Sequence, residues 1–255
     1  MILDQFRLDH KIAIITGSGQ GLGQGMALAM AMAGADIAGI DLGPDAPDTE
    51  AKVQALGHKY YHQQANLIEA PVAELHKLVD NAVAHYGHID ILINNAGIIR
   101  RAPLLEHTEK DWDDVIQINL KAVFFLCQAA ARHFIPQKSG KIINIASMLS
   151  FQGGILVPGY TASKSGVAGI TKLLTNELAG HGINANAIAP GYMATANTSA
   201  LRQNAERSEA ILARIPAGRW GLPSDLAGAA VFLASSASDY VNGCILNIDG
   251  GWLAR

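Results

Sequence analysis

Seven short apolar runs rich in β-branched residues recur along this chain, each followed by a stretch with helical patterning, and that alternation constrains the fold more than any other feature. The runs are KIAIIT (11–16), ADIAGID (35–41), HKYYHQQ (58–64), IDILIN (89–94), GKIINIA (140–146), INANAIA (183–189) and CILNID (244–249). Helical patterns fall near 21–33, 48–56, 71–86, 109–135, 160–180 and 224–234. Near-continuous apolar strands are buried on both faces, and a parallel neighbour can be reached only through a crossover, usually a helix. The pattern therefore predicts an α/β fold: a doubly wound parallel sheet of seven strands with helices on both faces. No linker divides 1–255, which reads as one domain. The segment at about 190–216, PGYMATANTSALRQNAERSEAILARIP, is too polar for core and too long for a simple loop, and is a candidate lid.

Charge and composition exclude several roles. The formal net charge is −3, with no basic surplus to serve as a footprint for nucleic acid. No apolar run approaches the ~20 residues needed to span a bilayer, and Asp4, Arg7 and Asp9 interrupt any signal-like start. The expectation is a cytoplasmic protein without membrane or nucleic-acid partners. Cys127 and Cys244 lack metal or redox spacing, and His58 and His62 sit in an extended run where i,i+4 spacing does not converge, so no metal site is expected.

In an open parallel sheet, ligands bind beyond the carboxyl ends of the strands, and chemistry-bearing residues gather there. TGSGQGLGQG follows the first strand and opens a helix. It is not a literal G-x-G-x-x-G and lacks the lysine of a phosphate loop, yet it sets Gly17, Gly21 and Gly23 where a backbone must turn and approach a pyrophosphate. The helix start offers free N–H groups to that anion. A Rossmann-like dinucleotide site is implied, with Ser18 and Leu22 beside the glycines. Asp41 ends the second strand, 18 residues past Gly23, where a carboxylate accepts from ribose hydroxyls and repels a 2′-phosphate. Neither Ser18 nor Leu42 supplies a cation, so NAD is favoured over NADP. Asn66 and Leu67, then Asn94, Asn95, Ala96 and Gly97, follow the third and fourth strands and are expected to frame the dinucleotide.

At the other end of the expected cleft, Ser147 stands just past the fifth strand, with Tyr160 and Lys164 downstream. Spacing of four on a helix puts Tyr160 and Lys164 on one face, so the ammonium can sit beneath the phenol. Moving a tyrosine from its usual pKa near 10 to about 7 requires roughly 4 kcal/mol in favour of phenolate. Burial opposes this, so nearby positive charge must supply it. Ser147 would hydrogen-bond the reacting oxygen. No G-x-S-x-G elbow marks it as a nucleophile.

Thr16-Gly17-x3-Gly21-x-Gly23, Asn94-Asn95-Ala96-Gly97, Ser147, Tyr160-x3-Lys164 and Pro190-Gly191 together resemble the short-chain dehydrogenase/reductase family over essentially the whole chain. The resemblance implies hydride exchange between a secondary alcohol and a nicotinamide dinucleotide. It implies that Asn119 joins Ser147, Tyr160 and Lys164 in a catalytic tetrad, holding a relay water. It further implies that Pro190, Gly191, Met193 and Thr195 contact the cofactor and that the chain forms a homotetramer through its 109–135 and 160–180 helices. Asn66 stands where the family usually has Asp, and its amide can still reach the adenine. At a finer level the segments NNAGIIRR, RIPAGRWGLPSDLAG and DGGWLAR resemble sugar-acid dehydrogenases of uronate breakdown within the family. A small anionic sugar acid is then the expected partner. Arg100, Arg101 and Arg202 are the candidate carboxylate ligands, with Arg207 and Arg214 also in the polar lid segment. An oxoacyl carrier-protein reductase, another polyol dehydrogenase and a non-catalytic dinucleotide sensor are the competing readings.

Overall fold

A computed structural model describes residues 1–255. Its sheet holds β1 (Ile12–Thr16), β2 (Asp36–Asp41), β3 (Tyr60–Gln64), β4 (Ile91–Asn94), β5 (Gly140–Ile145), β6 (Ile183–Pro190) and β7 (Ile245–Ile248). All neighbours are parallel, in the order β3-β2-β1-β4-β5-β6-β7. The expected seven-stranded doubly wound sheet is the one observed. Five of the strands begin one or two residues later than the apolar runs, and β5 and β6 begin with them. Just before β4, the Asp90 carboxylate accepts from Lys11 Nζ (2.8 Å) and the Ile12 N–H (3.0 Å).

Side chains alternate across a strand, so each strand feeds two cores. Ile12 and Ile14 of β1 join a core with α3 (Val72–Tyr86), α5 (Ala122–Gln137) and α6 (Pro158–Leu178). Ala13 and Ile15 join the opposite core with α1 (Gly21–Ala33), α2 (Pro47–Ala55) and α9 (Ala227–Ala234). In the first core the Phe134 ring fills the space where a Cβ on Gly140 would lie, which lets α5 press against the start of β5.

The helix expected over 109–135 is not continuous. α4 (Glu109–Ile116) passes through a π-helical turn, Gln117–Lys121, into α5. By length and composition this run, Glu109–Gln137, could cross a membrane, against the expectation that none would. However, 56% of its apolar window is buried inside the fold, because its Ala-rich face is core for α3 and α6. The 190–216 segment is also more ordered than a loop. It forms α7 (Ser199–Gln203) and α8 (Ala205–Arg214), the latter capped by Asn204 Oδ1 accepting from the Arg207 N–H (2.9 Å). Ile211 anchors α8 in a small satellite core with Met148, Ile215 and Trp252. His58 lies 3.4 Å from Asp36, and His62 is hydrogen-bonded to the Gly43 carbonyl.

Phe134→Ala should lower unfolding stability by about 3–5 kcal/mol, because it removes a fully buried ring and leaves a cavity that β5 cannot collapse into. Chemical denaturation followed by circular dichroism measures it.

Candidate active site

The strand order reverses direction between β1 and β4, and the chain segments leaving those two strands part there to form a crevice. A polar seam holds its floor. Thr16 Oγ1 accepts from the Asn95 and Ala96 N–H groups (3.0 and 2.9 Å), while Asn95 Nδ2 donates to the Thr16 and Gly17 carbonyls (2.9 and 3.2 Å). Above this seam Gly17 and Gly21 take positive φ (67° and 58°), which turns the chain into the start of α1. A Cβ on Gly23 would overlap the Gly17 carbonyl oxygen, so α1 can begin this close to β1 only with glycine there. The result is a cleft of about 370 Å³ in front of a helix N-terminus, the cradle a pyrophosphate requires.

Of the expected cofactor contacts, Gly17, Gly21, Leu22, Asp41, Asn66, Leu67, Ala96, Gly97, Tyr160, Lys164 and Thr195 line this cleft. Three do not. Ser18 is fully buried, its hydroxyl 2.8 Å from the Tyr60 hydroxyl, and it braces the loop from behind. Gly23 acts through helix packing. Asn94 points into the core, donating to Asn144 Oδ1 (2.9 Å), and its neighbour Asn95 takes the place in the wall. Asp41 is fixed at the adenosine end, where its carboxylate accepts from the Gly19 and Leu42 N–H groups (2.7 and 2.8 Å). Lys164 is the only cation lining the cleft.

Beyond the end of β5 a second cavity, of about 590 Å³, contains Ser147 and Tyr160. Leu22, Ile145, Tyr160, Thr195 and Asn197 belong to both spaces, so the two meet at the phenol. Pro190, Gly191 and Met193 line this second cavity and not the dinucleotide cleft. Pro158, at the first position of α6, starts the helix so that Tyr160 falls in its first turn and Lys164 one turn deeper. Lys164 is 4% exposed and donates to the Ile145 carbonyl at 2.5 Å, with Nζ 5.7 Å from the centre of the Tyr160 ring. Burial pushes its ammonium down to about 8. Burial also raises the Tyr160 phenol, opposed first by the Ser147 hydroxyl and then by the charge of Arg101. The Lys164 ammonium is thus held by a backbone carbonyl behind the phenol ring.

Asn119 occupies the π-helical turn, fully buried. Its amide clasps Ile98, accepting from the N–H (2.9 Å) and donating to the carbonyl (3.0 Å), and donates to Ser163 Oγ (3.2 Å), which in turn donates to the Tyr160 carbonyl (2.8 Å). This side chain locks the β4 loop to α6.

The arginines separate sharply. Arg100 turns back to α4, 3.5 Å from both Asp111 and Asp114, and lines neither cavity. Arg202 also lines neither, and its guanidinium donates to the Thr195 carbonyl (3.1 Å). Arg101, Arg207 and Arg214 line the second cavity, whose wall contains no Asp or Glu, and none of the three forms an ion pair. Arg207, Ala210, Ile211 and Arg214 are spaced as one face of α8, and that face is the cavity wall.

A family model described as enoyl-(acyl carrier protein) reductase matches residues 17–253. The 2-dehydro-3-deoxy-D-gluconate 5-dehydrogenase of Escherichia coli is 62% identical, with 100% of both chains aligned, and that of Dickeya dadantii is 59% identical over the same share. A gluconate 5-dehydrogenase from Burkholderia cenocepacia, solved in complex with NADP and tartrate, superposes with a TM-score of 0.95 at 42% identity, covering 100% of both chains. The chain belongs to the short-chain dehydrogenase/reductase family.

Within that family's frame, the residues sequence reasoning placed least well are the ones whose role depends on side-chain direction. The cavity-facing Arg207 and Arg214 carried a signal, their spacing of seven on a helix, but the 190–216 segment was read as a lid without a helix assigned in it. Asn95 was named with its neighbours, yet only its position one residue past β4 turns it to the cleft.

Gly23→Ala should cost more than 10-fold in dinucleotide affinity, because relieving the overlap with Gly17 moves the anion-binding turn away from α1. Fluorescence titration with NADH measures it, with circular dichroism as the check on folding.

Proposed function

We propose that this protein catalyses reversible, NAD(H)-dependent interconversion of 2-dehydro-3-deoxy-D-gluconate and 3-deoxy-D-glycero-2,5-hexodiulosonate. The reaction class and the sugar-acid setting agree with relatives at 62% and 59% identity. The observation that carries the reading is that Ser147 and Tyr160 share a cavity with three guanidinium groups that form no ion pair, and with no carboxylate. A neutral polyol has no use for such a wall, whereas a carboxylate held by a charged hydrogen-bonding fork gains about 1.5–3 kcal/mol. An acyl thioester reductase would instead call for an apolar channel.

The glycine turn, the α1 N-terminus and Asp41 fit a nicotinamide dinucleotide, with pyrophosphate at the turn and ribose hydroxyls at the carboxylate. When bound, that group accepts or returns hydride at its nicotinamide ring. In the oxidation direction Tyr160 as phenolate takes the hydroxyl proton of the substrate, and Ser147 donates a hydrogen bond to the oxygen becoming a carbonyl. In reduction Tyr160 as phenol returns the proton. Lys164, charged below about 8, holds ribose and keeps positive charge behind the phenol. Leu22 and Thr195, shared by both cavities, orient the two reactants face to face. The 190–216 segment acts as lid over the substrate, and the working form is a cytoplasmic homotetramer. The acid at residue 41 without a cation beside it supports NAD as the preferred cofactor, although the Burkholderia relative was solved with NADP.

Tyr160→Phe should reduce turnover by about 10²–10⁴ while NADH binding persists, since the acid/base group is lost and the cleft is not. Absorbance of NADH measured with keto sugar acids, neutral polyols and an acyl-thioester analogue tests the reading, and turnover only with the thioester would overturn it. Because burial holds the Tyr160 phenol above its ordinary value, oxidation needs the scarcer form, phenolate, and reduction the abundant one. The rate of oxidation should therefore climb from neutral into alkaline pH, and reduction should hold to lower pH. A pH profile in both directions checks the sign. Asp41→Ser should shift preference toward NADPH at least 10-fold in the ratio of kcat/KM values, by removing the charge that repels a 2′-phosphate.

A further inference from the structure

We propose that Arg214, with its guanidinium plane set by Trp252, is the residue that grips the substrate carboxylate and selects acids over neutral sugars. The inference rests on the sugar-acid reading above and names the specificity group within that site. Under that reading the reacting oxygen is on C5 and the carboxylate is C1, four carbon–carbon bonds away. The anchor must then stand apart from the phenol. Arg101 is close enough for its charge to act on Tyr160, whereas Arg207 and Arg214 are not among the groups that do so. Arg101 is also partly committed, donating to the Asn197 carbonyl at 3.3 Å.

Arg214 differs from Arg207 in being oriented. Its guanidinium carbon lies 4.1 Å over the Trp252 ring, a stacking contact that fixes the plane and leaves the N–H edge free. No protein acceptor takes a hydrogen bond from that edge. Trp252 is itself held, 5% exposed and edge-on to Tyr192 with ring centres 4.8 Å apart. Its indole N–H is buried without an acceptor. The end of α8 is pinned from the same side, where Arg255 donates to the Ala213 carbonyl (2.8 Å) and the Arg214 carbonyl (3.3 Å). A fork held by stacking loses little freedom on binding, which is the advantage of preorganisation. Trp252 is thus a positioning residue for Arg214.

The test compares KM and kcat for 2-dehydro-3-deoxy-D-gluconate and its carboxamide, in the full chain with NAD, for wild type, Arg101→Ala, Arg207→Ala, Arg214→Ala and Trp252→Leu. Wild type should favour the acid in KM by about 10- to 100-fold. Arg214→Ala should abolish that preference by raising KM for the acid alone, with kcat within about threefold of wild type. Trp252→Leu should raise the same KM severalfold, and adding it to Arg214→Ala should change little further, as expected of groups acting as a unit. Arg214 is exposed, so its variants should keep the wild-type melting temperature even if Trp252→Leu does not. An acid preference that survives in Arg214→Ala and is lost in Arg101→Ala or Arg207→Ala overturns the assignment and leaves the sugar-acid reading intact. Equal KM for acid and carboxamide in wild type overturns that reading itself.

Discussion

The seam between β1 and β4 is the constraint from which the rest of the site follows. Parallel strands on either side of it send their connections to opposite faces, so the chain must open there, and the exposed backbone groups at the opening need partners. Thr16 and Asn95 provide them by bonding across the gap. With that edge closed, the glycine turn can rise over it into α1, and the dinucleotide cleft has a rigid floor. The clasp of Asn119 on Ile98 extends the same stitching to α6, tying the loop that floors the cleft to the helix that carries Tyr160.

At Tyr160 two physical effects compete, and burial wins in the protein alone. The phenol is raised and the Lys164 ammonium is lowered, both for the same reason, loss of water around the charged form. Lys164 remains poised because its proton is donated to the Ile145 carbonyl, close to the phenol without contacting its oxygen. The second cavity is the electrostatic opposite, with cations and no counter-charge, and a cavity lined by one sign of charge favours an ion of the other.

How much of this was legible in the sequence depends on whether a residue's role is set by its position along the chain or by the direction of its side chain. Strands, helices and the glycine turn are written as periodicity and as missing Cβ atoms, and they emerged nearly where expected. Tyr160 and Lys164 were legible because a spacing of four on a helix fixes a shared face. Ser18 and Asn94 misled because strand ends alternate, and a shift of one residue exchanges cleft for core. Arg100 looked equivalent to Arg101, yet adjacent residues diverge, and the carboxylates of Asp111 and Asp114 on α4, too distant in the pattern to be weighed, captured it. The π-helical turn at Asn119 left no trace in hydrophobic periodicity. The cationic face of α8 was hidden because the segment's polarity marked it as a lid and not as core, while Ile211 and Ile215 were enough to dock a helix.

The central claim is that this geometry directs hydride to one carbon of a keto sugar acid. Turning over 3-deoxy-D-glycero-2,5-hexodiulosonate with NADH and recording the carbon NMR spectrum of the product measures this most directly. The account predicts loss of the C5 carbonyl resonance with C2 retained as the keto carbon. Loss of the C2 carbonyl instead, or no consumption of the sugar acid, would contradict it.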